Sequence, residues 1–185
     1  MPRLLRKITH NRWELDAERR PKWLAEGEIP ADPVTELKTT KNKLSVWDVG
    51  VDLDLIKRIA AAMTIQSKHL NNTFDYVLFD SELLETEGIE MERAEGATCD
   101  KDLNKRHINL KHLSAQKLVR LTDELLSKST GIKFDRENPK TVGEYILEGI
   151  SEGRLDANTI PTSIAGKLDR WFGSKWRKTN AKGMR

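Results

Sequence analysis

The chain has 185 residues, 37% of them hydrophobic and 33% charged, with a formal net charge of +3. That length suits one domain with a real apolar core, and no apolar run is long enough to span a bilayer. A single cysteine, Cys99, excludes an intrachain disulfide framework and a cysteine-rich zinc module.

The charge is unevenly placed. Arg3, Arg6, Lys7 and Arg12 give residues 1–12 a charge of +4, and Lys175, Arg177, Lys178, Lys182 and Arg185 give residues 175–185 a charge of +5, which leaves residues 13–174 at −6. Basic ends on an acidic body suit contact with polyanions, and they also serve solubility. The opening MPRLLRKITHNRW is basic but lacks the apolar h-region of a secretory signal. A cytoplasmic location is therefore expected.

Taken in chain order, residues 18–43 contain Pro21, Gly27, Pro30 and Pro33, which predicts an irregular segment. Within it, Asp32-Pro33 reads as a cap and first turn of one short helix reaching about Lys38. Leu44 to Val49 (LSVWDV) reads as a strand. The following segment places Leu53, Ile56, Ala60, Met63 and Leu70 at helical spacing, with Asn71-Asn72 as its stop. FDYVLFD, Phe74 to Asp80, is apolar on both faces and predicts a central strand. An acidic helical turn around SELLETEG then leads to GIEMERAEG, a predicted edge strand.

The second half is predicted to be helical. Leu110, Leu113, Leu118, Leu121 and Leu125 make one stripe ending near Ser127. Val142, Tyr145, Ile146, Gly149 and Ile150 make another after Pro139, and Ile164, Leu168, Trp171 and Phe172 a third after Pro161. GIKFDRENPK, residues 131–140, is read as a short linker and residues 173–185 as a basic tail. The expected fold is α+β: a small mixed β-sheet with one long helix among the strands and a helical C-terminal half, in a single domain spanning residues 1–185.

Motifs for chemistry are sparse. Gly166-Lys167 echoes a phosphate-binding loop, but Pro161 stands where its first glycine is needed and Leu168 where a hydroxyl is needed. Asp100, Asp102 and Asn104 imitate the first ligands of a calcium loop, which then breaks at Lys105 and Lys111. Cys99, His107 and His112 have irregular spacing for a transition metal, and a structural role suits them better. Glu36-Leu37-Lys38 with Asp16 upstream matches the residue types of a metal-dependent nuclease, but on a predicted helix instead of adjacent strands. The acidic run Asp80, Glu82, Glu85, Glu87, Glu90, Glu92 and Glu95 suits protection of a sheet edge.

The termini are left as the expected contact surfaces. They comprise Arg6, Lys7, Arg12 and Trp13 at one end and Lys175, Trp176, Arg177 and Lys178 at the other. Trp176, set among cations beyond the helix-weakening Gly173, is read as a contact residue for an unpaired base or for a protein partner. Trp171 and Phe172 are read as core. The leading expectation is a non-enzymatic cytoplasmic adaptor or accessory subunit with a protein partner and neither metal nor cofactor. The alternatives are a nucleic-acid-binding protein using its basic, aromatic termini without strong sequence preference, and an enzyme with an unrecognised site, such as a metal-dependent nuclease.

Overall fold

The N-terminal residues RLLRKI form a strand, β1 (Arg3–Ile8), in the interior of a six-stranded sheet. This is a computed structural model, and it describes residues 3–13, 29–37, 39–126 and 131–183. Contacts divide the chain into two compact units, each drawn from three stretches: Met1–Val51, Asp75–Glu95 and Arg106–Arg136 in the first, Asp52–Phe74, Gly96–Lys105 and Glu137–Arg185 in the second.

The first unit is organised by the sheet. β1 pairs antiparallel with β2 (Leu44–Asp48) on one side and with β3 (Phe74–Asp80) on the other, so Leu5 lies opposite both Trp47 and Leu78. Outside β2 comes β5 (His107–Lys111), with Leu44 opposite Leu110, and then β4 (Glu90–Arg93) at the edge. β6 (Lys133–Glu137) lies beyond β3 and completes the order β4-β5-β2-β1-β3-β6. Side chains alternate across a strand, and β5 follows the rule, burying Ile108 and Leu110 between less buried neighbours. β3 is buried on both faces for all but its last residue, as its unbroken apolar character requires.

One sheet face carries the core of this unit. Leu4, Val46, Val77, Phe79, Ile108 and Leu110 pack there with Leu121, Leu125 and Leu126 from α6 (Ala115–Leu126). Short helices α1 (His10–Trp13), α2 (Ala31–Glu36) and α4 (Glu82–Thr86) belong to the same unit, α1 packing on α2 and α2 on α6.

The second unit is helical. α3 (Leu53–Ser67) is capped by Asp52, whose carboxylate accepts from the Asp54 N–H, and it stops at Lys68 in the left-handed conformation. α5 (Lys101–Asn104) is capped by Asp100, and α7 (Pro139–Ser151) by Asn138 with proline in its first turn. A 3-10 turn (Ala157–Thr159) leads to α8 (Thr162–Phe172) and α9 (Ser174–Gly183). α7 packs against α3 and α9, and α9 also against α8 and the 3-10 turn. Gly143 allows Phe172 close to α7, since a Cβ there would lie 2.9 Å from Phe172 Cε2.

The α+β expectation holds, with about half of the described residues helical, and the sheet expected to be mixed is antiparallel. Four local expectations change. The short helix starts at Ala31 after Pro30, so Asp32 lies inside its first turn and does not cap it. Leu110 belongs to β5, because the helix starts only at Ala115, after Ser114 accepts from the Lys117 N–H at 3.2 Å. The stretch read as a linker contains β6, whose Phe134 enters the core. Residues 174–183 are helical: Gly173, at φ 44°, ends α8, and the chain restarts as α9. Residues 18–28 and Lys38 of the predicted irregular segment, and Asp16 upstream of it, lie outside the described residues.

Because Leu4 is wholly buried in the sheet core, Leu4→Ala is expected to destabilise the protein by about 2–5 kcal/mol. Exposed Lys175→Ala should stay within about 0.5 kcal/mol. Urea denaturation followed by circular dichroism measures both, and a loss below about 1 kcal/mol at Leu4 would contradict an interior β1.

Candidate functional site

Two places gather charge in the second unit, and they differ in how that charge is satisfied. The first is a cleft of about 170 Å³ lined by Asp52, Asp54, Lys57 and Arg58 of the α3 region, Tyr145, Glu148 and Glu152 around α7, and Arg154. Helical spacing brings Asp54 and Lys57 together at 2.7 Å. The Lys57 ammonium also stands 6.0 Å from the centre of the Tyr145 ring. Beside the cleft, Arg58 donates to Asp100 through Nε at 2.9 Å and Nη2 at 2.7 Å, a two-pronged pair. Arg154 approaches the same carboxylate at 3.8 Å and donates to Glu152 through Nε at 2.6 Å.

Asp100 is the centre of this arrangement, at only 2% exposure. Burial alone would raise its pKa. The Arg58 hydrogen bonds, the Leu103 N–H and the charges of Arg58 and Arg154 outweigh burial and hold the carboxyl below its ordinary value. Asp100 thus caps α5 and ties it to α3, while Asn104 binds the Thr98 N–H and hydroxyl. The residues that imitate a calcium loop therefore do structural work. The cations of the cleft are already matched to carboxylates of the protein.

The second place is the hairpin of α8 and α9. On α9, Trp176 and Thr179 are buried, one turn apart, while Lys175, Arg177 and Lys178 on the flanking positions are exposed. α8 adds exposed Arg170, and Lys167 at 5.8 Å from the centre of the Trp171 ring. Asp169 is the one acid between Thr162 and Gly183, and it accepts from Arg177 Nε at 3.2 Å. Among the described residues, Lys175 and Lys178 have no ion-pair partner. Lys182 follows one turn beyond Lys178 in the sequence.

The sequence-predicted contact residues divide accordingly. Lys175, Arg177 and Lys178 are exposed together on α9, but Trp176 is 7% exposed and turned inward, so it offers no open ring. The helix continues past Gly173, and its inner stripe claims this tryptophan. Trp171 and Phe172, expected in the core, are partly buried and meet edge to face.

At the other end Trp13 is fully buried, with its indole N–H donating to Glu36 at 2.6 Å and its ring 5.5 Å from Phe134. Arg6 and Lys7 lie half-buried on β1, and Arg6 donates to the Ser45 carbonyl at 2.8 Å. Burial lowers the pKa of both, against the opposing charge of Glu36. Arg12 is exposed on α1.

The remaining sequence candidates take ordinary structural positions. His107 packs edge-on to Trp47, with Nδ1 3.0 Å from the Ala94 carbonyl. His112 is exposed, and Cys99 is partly buried with its thiol pKa raised by burial. No group of three or more His, Cys, Asp or Glu side chains among the described residues could hold a metal ion. On edge strand β4, Glu92 pairs with Lys43 and Lys111.

Removing the Asp100 carboxylate leaves Arg58 and the α5 N-terminus without their shared acceptor, so Asp100→Ala is expected to destabilise by about 3 kcal/mol at neutral pH. Because the folded pKa is depressed, this contribution is complete above about pH 4, the unfolded aspartate range, and fades as pH falls through the folded value. Urea titrations of both proteins between pH 7 and pH 2.5 measure it: the gap should narrow at the acid end, and a constant gap would contradict a charged Asp100. Comparison of the chain with protein-family models, with characterised proteins and with solved structures finds no match.

Proposed function

We propose that the protein works by macromolecular contact, as a non-enzymatic cytoplasmic adaptor or accessory subunit, and that the α8–α9 hairpin is its contact surface. The observation that carries this reading is the exposure of Arg170, Lys175, Arg177 and Lys178 along one helical hairpin with Asp169 as the single acid. Such a surface attracts an anionic partner and speeds its encounter. The charged cleft supports the same reading from the other side. Its Arg58, Lys57 and Arg154 are held by Asp100, Asp54 and Glu152, which suits a structural role better than proton transfer. Nor does any helix among the described residues have the length and apolarity to cross a membrane.

Retention on immobilised heparin, a polyanion without a protein fold, tests whether the hairpin is the contact surface. Lys175→Glu/Lys178→Glu should elute at clearly lower salt than the parent. A control reversing exposed cations elsewhere, Lys101→Glu/Lys140→Glu, changes net charge equally and should elute close to the parent. If the two variants elute together, retention follows net charge alone and the hairpin is not the contact surface.

A further inference from the structure

The reading above leaves the chemistry of the partner open, and the hairpin's own surface narrows it. We infer that α8–α9 docks on the phosphate backbone of duplex nucleic acid, without reading its sequence. This rests on the hairpin being the contact surface.

Two features set a phosphate track apart from a protein partner and from a stacked single strand, and a third is compatible with it. A protein interface draws most of its energy from buried aromatic and aliphatic anchors. The exposed large apolar side chains among the described residues are Val51, Met91 and Val119, and none lies on α8 or α9. The hairpin offers charge without an apolar anchor.

Single-stranded nucleic acid is held largely by stacking of bases on open aromatic rings. Trp176 is turned into the unit, and Trp171 is partly buried against Phe172. The expected stacking platform is withdrawn, while the cations beside it stay exposed.

The third feature is spacing. Lys175 and Lys178 stand one helical turn apart, with roughly 5–6 Å between Cβ atoms. Duplex phosphates along one strand advance by about 3.4 Å each along the axis. Two long, flexible ammonium arms from adjacent turns can therefore each take a phosphate. Each contact releases condensed counterions, which supplies the free energy and makes it sensitive to salt. The contacts are assigned to phosphates because the two unpaired cations that carry them, Lys175 and Lys178, are lysines, whose ammonium acts as a point charge and does not fix a base edge by a rigid fork.

The full chain should be titrated into fluorescein-labelled 30-base-pair duplex DNA of mixed sequence. The matching single strand and labelled poly-glutamate should be run alongside, from 50 to 200 mM salt, with anisotropy as the readout. Duplex binding is expected with Kd of the order of 1–100 µM at physiological salt, nearly equal for two unrelated sequences. Lys175→Gln/Lys178→Gln, confirmed folded by its unchanged urea midpoint, should weaken binding and flatten the slope of log K against log salt by about 2.

An unchanged slope in that variant overturns the assignment of the phosphate contacts to α9. Tighter binding of the single strand than of the duplex overturns the choice of duplex. Binding of poly-glutamate with no binding of either nucleic acid overturns this inference and leaves the hairpin as a contact surface for acidic protein. Absence of binding to all three polymers overturns both readings.

Discussion

The sheet of the first unit depends on one strand reaching its place. β2 and β3 are not neighbours; β1 lies between them and bonds to both. Without Arg3–Ile8 the sheet would separate into two parts, each with an unpaired interior edge. Leu4 and Leu5 point to opposite faces, as consecutive residues of a strand must, and both are fully buried. The cations of the same strand are accommodated by local partners: Arg6 bonds to the Ser45 carbonyl, and the charge of Glu36 offsets part of the burial penalty on Arg6 and Lys7. β1 thus brings charge into the interior because sheet pairing and apolar burial outweigh the penalty of partly desolvating those cations.

The second unit has a comparable dependence on a single carboxylate. α5 is one short turn, too brief to be stable by propensity. Asp100 supplies its cap and receives the fork of Arg58, so a local interaction and a tertiary one share the same two oxygens. A group so buried is tolerated only when its hydrogen-bonding capacity is filled, and here the Arg58 fork and the Leu103 N–H fill it, with Arg154 adding opposite charge at 3.8 Å. The same geometry gives the polar side chains of a stretch resembling a cation loop partners within the protein. Asp100 faces guanidinium groups, and Asn104 is occupied by Thr98.

How far the sequence was legible varied with how strongly one period dominated each segment. FDYVLFD, LSVWDV, the long α3 pattern and the stripe after Pro139 each had one consistent reading, and β3, β2, α3 and α7 follow them closely. Leu110 misled because it sits three residues before Leu113, so strand and helix periods coincide there. The alternation of Ile108 and Leu110 between polar residues was the weaker, correct signal. β1 and β6 were hidden by charge: cations make up half of RLLRKI, Phe134 is the one apolar residue of KFDRE, and their pairing partners lie tens of residues away. Trp13 was read as a contact residue because cations surround it in sequence, whereas Glu36 and Phe134, which meet its ring, are distant in sequence. At α9 the exposed cations were legible and the fate of Trp176 was not. A helix restarted after Gly173 places residues 176 and 179 on one side, and its packing on α7, α8 and the 3-10 turn shows which side faces inward.

The two basic ends therefore have opposite fates from similar compositions. Both combine tryptophan with closely spaced Lys and Arg, yet β1 lies between two strands while α9 lies on other helices by one face only. A strand flanked on both sides and buried on both faces leaves its cations little solvent, so Arg6 and Lys7 become part of the fold. A helix packed along one stripe leaves most of its circumference in water. The buried Trp176 then acts as the anchor that fixes α9 in place, and holding the helix backbone still lets Lys175 and Lys178 present charge from a defined surface. Burial of the aromatic residue and exposure of the cations follow from the same packing, and it is this packing that the proposed recognition by charge, as opposed to stacking, is built on.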